Sequence, residues 1–322
     1  MSLQRRNGLN RQNYSITTYQ ILMNGVLVVD KPAGLTSHDV VNRVRRLLGQ
    51  RSVGHLGTLD PMATGVLPLV LGNLTRLAQF YNDSEKAYEG SIRFGWATDT
   101  YDAEGEPLGP PRPVTFTEQQ LQEAAARFRG KIEQMPPAFS AKKVHGVPAY
   151  KLARRNKEVK LQPVQVDIKQ FDILSFDGER ASFRARVASG TYMRCVAHDL
   201  GQQLGCGAHL QALRRTSVEE FHISDAHTLD EIATAIEHAP ADELFVHPRK
   251  LLPQFPSVTA NDEIAANIRS GRAVNLPELS RARQVKVFYG QKELIAIATR
   301  VAGTLFHPKI VLAAEPAKQL IR

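Results

Sequence analysis

Two kinds of apolar run punctuate this chain. Val26-Leu27-Val28-Val29 and Val66-Leu67-Pro68-Leu69-Val70-Leu71 are unbroken, the mark of strands buried in a core. The first follows Asn24-Gly25 and closes on Asp30-Lys31-Pro32, and the second closes on Gly72. These flanks are turn formers, so each run is bounded as a strand should be. The stretches Tyr88 to Phe94 and Ala181 to Val187 alternate instead, the period of strands with one wet face.

Helical spacing separates them. Thr36 or Ser37 supplies an N-cap, Val40, Val44, Leu47 and Leu48 follow on one face, and Gly49 is a suitable stop. Arg43, Arg45 and Arg46 fall on the opposite, solvated face. A short helix capped by Asn73 or Thr75 is predicted after Gly72. Thr117-Glu118-Gln119-Gln120 has the form of a capping box and opens a helix with Leu121, Ala124, Ala125 and Phe128 on one face and Gly130 at its end. Strands and helices mix without a βαβ period, which predicts an α+β fold rather than a doubly wound sheet.

The pattern changes past Pro248, Pro253 and Pro256. Val285 to Tyr289, a Gly290-Gln291 turn and Leu294 to Ile297 read as a hairpin in a small β-rich unit over 253–322. From Lys250 onward eleven Lys/Arg face five Asp/Glu, a surplus that fits RNA binding. Residues 1–23 hold Arg5, Arg6 and Arg11 and no acid, and read as a basic disordered tail rather than an organelle leader. That leaves 24–252 as the main body of a 322-residue chain.

Composition narrows the partner. Lys and Arg exceed Asp and Glu by 41 to 32, a net charge of +9, which favours a polyanion. No run of eighteen apolar residues occurs, so no membrane span is expected. Only Cys195 and Cys206 are present, too few for a disulfide framework. The reading is therefore a reducing, cytoplasmic location.

Three segments could carry chemistry. Gly54-His55-Leu56-Gly57-Thr58-Leu59-Asp60-Pro61-Met62-Ala63-Thr64-Gly65 is too rich in glycine and proline for a helix or a central strand. It is a loop feeding the Val66 strand, and it would hold Asp60 rigidly at a strand end. In Ser189-Gly190-Thr191-Tyr192-Met193-Arg194-Cys195-Val196, Tyr192 and Arg194 alternate. On an extended stretch they share one face, an arginine for a carboxylate and a ring for a planar ligand. Gly205 to Arg215 closes the region with Arg214 and Arg215. His55, Asp60, His198, Asp199 and His209 lack metal-ligand spacing. No phosphate-binding glycine loop and no G-x-S-x-G is present. The residues thus predict a metal-free, cofactor-free site of one carboxylate, an arginine and tyrosines.

The Gly54 to Leu67 segment resembles the signature of the TruB family of tRNA pseudouridine synthases. Gly25 to Gly34, Lys86-Ala87-Tyr88, Thr98-Asp99-Thr100-Tyr101-Asp102, Pro137 to Lys143, Gly190 to Arg194, and Gly207 to Leu210 with Leu213-Arg214-Arg215 follow in the family's order. Together they span about residues 24 to 222. The resemblance implies a pseudouridine synthase catalytic domain with a mixed or antiparallel sheet over 24–252, an RNA-gripping insertion at about 131–160, and a PUA-like C-terminal domain.

It also implies an activity: conversion of uridine 55 in the tRNA T loop to pseudouridine, with the base flipped out and no metal or cofactor. Asp60 falls on the family's catalytic aspartate, Tyr88 on the tyrosine that stacks on the base and serves as general base, and Arg194 on the arginine that pairs with the aspartate. His55 falls on the histidine that contacts extruded nucleotides, and Lys31, Tyr192 and Leu213 fall on other pocket positions. Lys142, Lys143, His145, Lys151, Arg154 and Arg155 fall in the insertion, where phosphate contact is implied. The implied enzyme is a monomer that works on tRNA without an obligatory protein partner. Asn156 and Glu219 stand where the family pattern has glycine, and Trp96-Ala97 where polar residues are usual. Alternatives are a guide-RNA particle subunit, a tRNA chaperone and a bare RNA-binding module.

Overall fold

The structure is a computed structural model that describes residues 23–312 except 138, 141, 145, 150–151, 153–160 and 239–240. The expected tail over 1–23 lies outside the described residues save for Met23. Among the described residues the body carries β1 (Gly25–Lys31), α1 (Ser37–Leu47), β2 (Val53–His55), β3 (Thr64–Leu71), β4 (Lys86–Phe94), α2 (Glu118–Ala126) and β5 (Gly130–Gln134). A two-stranded ribbon, β6 (Lys143–Val144) with β7 (Val147–Pro148), follows. Next come β8 (Val164–Phe176), β9 (Arg180–Val187), α3 (Met193–Gln203), β10 (Ala208–Val218), β11 (Phe221–His222) and α4 (Leu229–His238).

The main sheet runs β1-β3-β10-β4-β9-β8-β5, with β2 on β3 and β11 on β10. Its described pairings are antiparallel except β10 against β3, where Arg214 and Arg215 lie beside Thr64 and Gly65. The unbroken runs of β1 and β3 are explained by two covered faces. Leu27, Val29, Leu67, Leu69 and Leu71 pack into the core under the helices. Val26, Val28, Val66 and Val70 pack on the other side with Leu74, Leu77, Phe288, Ile297 and Ile310. β9 has one wet face and therefore alternates: Ala181, Phe183, Ala185 and Val187 are buried while Arg180, Arg184 and Arg186 are exposed.

The last part forms a five-stranded sheet, β12-β14-β15-β16-β13, with its own core. Its elements are β12 (Ser257–Ala260), α5 (Asp262–Arg269), β13 (Val274–Asn275), β14 (Gln284–Tyr289), β15 (Glu293–Ala302) and β16 (Leu305–Val311). The expected hairpin is β14 and β15, paired antiparallel.

The expected capping box at Thr117 is present, and the N-cap expected at Thr36 or Ser37 is Thr36, which also forms a box with Asp39. Thr36 accepts from the Asp39 amide and Thr117 from the Gln120 amide, with the reciprocal bonds in place. Two details differ. Leu47 is exposed and Val41 takes its place in the core. The segment after Gly72 is a 3-10 helix, Gly72–Tyr81, without a cap of its own, because Asn24 reaches over to accept from the Asn73 amide.

Glu219 has φ +46°, the left-handed backbone that favours glycine, which accounts for glycine being the expected residue there. Its carboxylate accepts from the Glu85 amide at 2.6 Å and so fastens the β10 end to the start of β4. Asn156 lies outside the described residues. Gly65 is the tightest position of the sheet, with φ +98° and the Arg215 carbonyl oxygen 2.2 Å from where a Cβ would sit. Gly65→Ala is predicted to lower stability by about 3 kcal/mol, read by urea unfolding, because it adds a strained φ to a clash with sheet backbone.

Candidate active site

The segment expected as a loop over Gly54–Gly65 is a loop only at 56–63, between β2 and β3, and it is held from below by three buried groups. Lys31, at the end of β1, is fully buried and donates to the carbonyls of Pro32 at 2.8 Å, Pro61 at 3.1 Å and Ala63 at 2.6 Å. Ser37, at the start of α1, donates to the Leu59 carbonyl at 3.1 Å and accepts from the Leu59 amide at 2.8 Å. Arg215, fully buried on β10, donates to the carbonyls of Val66 at 2.7 Å, Gly57 at 3.0 Å and Thr58 at 3.3 Å. Arg214 faces the other way and forks onto Asp30 at 3.0 and 2.7 Å. The loop backbone is thus fixed, and Asp60 with it.

Asp60 sits in a cavity of about 250 Å³. Its walls include Thr58, Tyr88, Tyr192, Arg194, Leu213 and Lys86. The site lies at the edge of the range of drug-sized pockets, ~300–1,000 Å³, and suits one nucleoside. Arg194 Nε lies 2.9 Å from Asp60 Oδ2, and its Nη2 donates to Oδ1 at 3.2 Å. The remaining donors go to the carbonyls of Thr100 at 3.2 Å and Phe139 at 2.9 Å, with Asp102 Oδ2 at 3.4 Å. Arg194 is 5% exposed, whereas the Asp60 side chain keeps 35% of its surface toward the cavity. The arginine is therefore a buried fixture and the carboxylate is the reachable group.

The charge of that carboxylate is contested. Burial raises the pKa of Asp60 above its ordinary value of 3.8, and Asp102 adds to this, while Arg194 and Lys31 pull it down. The net direction is upward, because desolvation is the largest contribution. Burial likewise pulls Lys31 and Lys86 down to about 8.

The structure brings Asp60, Tyr88, Tyr192, Arg194 and Leu213 together around one cavity. Lys31 lies beneath the loop rather than on the cavity wall, with its donors spent on carbonyls. His55 is on β2, outside the lining, half-buried and with its pKa lowered by burial. Lys142 also lies off the lining and reaches the Gln162 carbonyl at 3.5 Å. His145, Lys151, Arg154 and Arg155 lie outside the described residues, as does the Lys143 side chain.

The extended reading of Ser189 to Val196 is corrected. Tyr192 is the N-cap of α3 and Arg194 lies in its first turn. Three alternating residues are too few to set a period, and Val196, Ala197 and Leu200 behind them are buried at helical spacing. The cap is instead fixed by Gln134 of β5, whose amide donates to the Tyr192 carbonyl at 3.1 Å and accepts from its N–H at 2.8 Å.

Three functional neighbours went unassigned in the sequence reading: Gln134, Asp102 and Lys86. Only Lys86 had a local signal, since a period of two on β4 puts it on the face of Tyr88.

Two outcomes follow from this geometry. Lys31→Met should cost about 2–4 kcal/mol in chemical unfolding, because buried carbonyls lose their donor. Asp60 holds its proton more tightly folded than unfolded, so its contribution lowers stability as pH rises from 3.8 through the folded value. Asp60→Asn removes that penalty and is predicted to melt no lower than wild type at neutral pH, with a flatter melting profile across the acid range.

Comparison with known proteins gives the same picture at the level of the whole chain. Residues 45–193 match the TruB family pseudouridylate synthase N-terminal domain, and residues 194–252 match the tRNA pseudouridylate synthase B C-terminal domain. The tRNA pseudouridine synthase B of Solibacter usitatus is 49% identical over 90% of this chain and 100% of that protein. The protein of the same name from Azoarcus sp. is 39% identical over 91% of this chain and 96% of its own length.

Among solved structures, a chain of a Cbf5-Nop10-Gar1 complex has a TM-score of 0.67 at 23% identity, covering 90% of this chain and 85% of that one. A chain of an H/ACA RNP bound to a substrate RNA containing 2′-deoxyuridine has a TM-score of 0.66 at 23% identity, with the same coverage. At that distance the two structures show a shared fold. Family matches in chain order and full-length relatives well above 30% identity lead to one conclusion: the chain belongs to the TruB family of pseudouridylate synthases.

Proposed function

We propose that this protein isomerises uridine 55 in the T loop of tRNA to pseudouridine, acting alone as a monomer in the cytoplasm. The observation that carries the reading is a single reachable carboxylate, Asp60, forked by a buried Arg194 on the floor of a nucleoside-sized cavity beside Tyr88. The relatives named tRNA pseudouridine synthase B support tRNA as the substrate. No helix among the described residues is long and apolar enough to cross a membrane.

A glycosidic bond inside a folded loop is out of reach of any side chain, so the uridine must leave its stack at a cost of a few kcal/mol. Stacking against Tyr88 returns about 1–3 kcal/mol. Asp60 must then be ionised to act, whether it attacks the ribose, adds to the base or promotes a glycal route. Arg194 supplies the compensating charge in a site where burial opposes ionisation.

The balance of the reaction needs nothing further. The bond from N1 to C1′ breaks, a bond from C5 to C1′ forms, N1 gains a proton and C5 loses one. Tyr88 is the group we assign to accept the C5 proton, from which it passes to solvent. Tyr192 and Leu213 flank the base, and His55 meets the neighbouring extruded nucleotides. Lys142 and Lys143 in the 131–160 insertion, together with the PUA-like unit over 253–322, contact phosphates and extend the footprint along the tRNA.

Tritium release from a T-arm stem-loop labelled at C5 of uridine tests the reading directly. The purified chain alone should release tritium from the target uridine and none from a matched RNA lacking it. Asp60→Asn should bind the RNA yet lower the rate by at least about 10³-fold. Absence of release from folded, RNA-binding wild type would overturn the stand-alone reading in favour of a guide-dependent subunit or a chaperone.

A further inference from the structure

Tyr101 has φ +67°, and a ring-bearing residue in that region is strained. Such backbone persists only where its surroundings over-determine it, and it concentrates at functional sites. Here the surroundings are specific. The Tyr101 N–H donates to the Thr98 carbonyl at 3.2 Å, and its own carbonyl accepts from the Leu210 amide at 3.0 Å. Its ring stacks on His198, with centroids 3.8 Å apart and planes 23° apart.

The two residues flanking Tyr101 are those that hold the arginine. Thr100 presents its carbonyl to Arg194 Nη1 at 3.2 Å, and Asp102 presents Oδ2 to the same nitrogen at 3.4 Å. Thr100 Oγ1 and the Glu104 amide lock Asp102 by donating to its other oxygen, at 2.6 and 3.1 Å. Arg194 and His198 are four apart on α3 and so share one face. One helix face therefore grips the Thr100–Asp102 turn twice, by charge and by ring.

His198 contributes its ring face rather than its nitrogens. Its Nδ1 is buried without a partner among the described residues, and burial lowers the pKa of the imidazole. Neither Tyr101 nor His198 lines the cavity. Their route to the chemistry runs through Arg194.

The geometry points to Tyr101 and His198 as a positioning pair, whose stack locks the strained turn that aims the Thr100 carbonyl and the Asp102 carboxylate at Arg194 and so sets the fork on Asp60. This inference rests on the reading of Asp60 and Arg194 as the reacting pair.

The test uses the full chain with Tyr101→Gly, His198→Ala, the double variant and Tyr101→Phe. Glycine accepts the positive φ freely, so the turn can keep its backbone while the side chain and its stack on His198 are lost. Tyr101→Gly and His198→Ala should each lower kcat for tritium release at least about tenfold, with KM for tRNA within about twofold. The double variant should be no slower than the slower single, since both break one stack. Tyr101→Phe should retain wild-type kcat.

An independent readout is the Arg194 side-chain Nε–H resonance by NMR, expected sharp in wild type and Tyr101→Phe and broadened in Tyr101→Gly. Unchanged kcat and an unchanged Arg194 resonance in Tyr101→Gly would overturn the pair. A loss in Tyr101→Phe equal to that in Tyr101→Gly would also overturn it, by assigning the effect to the hydroxyl. If wild type releases no tritium while the Arg194 resonance still broadens in Tyr101→Gly, the positioning role stands and the proposed reaction falls.

Discussion

The ion pair of Arg194 with Asp60, 2.9 Å from Nε to Oδ2, is the interaction on which the rest of the structure depends. Taking a carboxylate out of water raises its pKa, and a neutral acid cannot act as a nucleophile. The fold answers with a cation that is itself almost fully buried and whose other donors are absorbed by Thr100, Phe139 and Asp102. An arginine so fixed keeps its charge beside the carboxylate. Asp60 can engage a substrate while Arg194 stays where the surrounding carbonyls hold it.

That arrangement puts demands on chain elements far apart in sequence. β1 brings Lys31 under the loop, α1 brings Ser37 to Leu59, and β10 brings Arg215 to Gly57, Thr58 and Val66. The parallel contact of β10 with β3 puts the Arg215 backbone directly over Gly65, so the loop must end on a residue without a side chain. α3 begins on Tyr192 because Gln134 of β5 satisfies both its backbone groups, and Arg194 is thereby placed in the first turn. The carboxylate is local to one loop, but its environment is a property of the whole sheet.

Much of this was legible in the chain itself, for physical reasons. The unbroken runs of β1 and β3, the alternation of β9, the N-cap of α1 and the capping box of α2 are local patterns, and local patterns survive into the fold. The Gly54–Gly65 segment stood out by its glycine and proline content, but only its middle, 56–63, is a loop: Gly54 and His55 pair in β2, and Thr64 and Gly65 begin β3. Arg194 was found as a residue but misplaced on a strand, since three alternating positions mimic a β period at a helix start. Asp102 and Gln134 left no readable trace of their role, because each acts through a partner distant in sequence. Lys31 was expected on the cavity wall and instead supports the loop from beneath, a distinction that only depth in the fold can draw.

Arg194 is the strongest of the groups that oppose the upward push of burial on the Asp60 carboxyl. The most direct measurement is the titration of the Asp60 carboxyl carbon by NMR in protein carrying labelled aspartate, in wild type and in Arg194→Gln, with Asp60→Asn to assign the signal. The prediction is an Asp60 pKa above the ordinary 3.8 in wild type, and a further upward displacement in Arg194→Gln. An Asp60 resonance that titrates identically in the two proteins would contradict this role, because the guanidinium would then not be what opposes burial at the carboxylate.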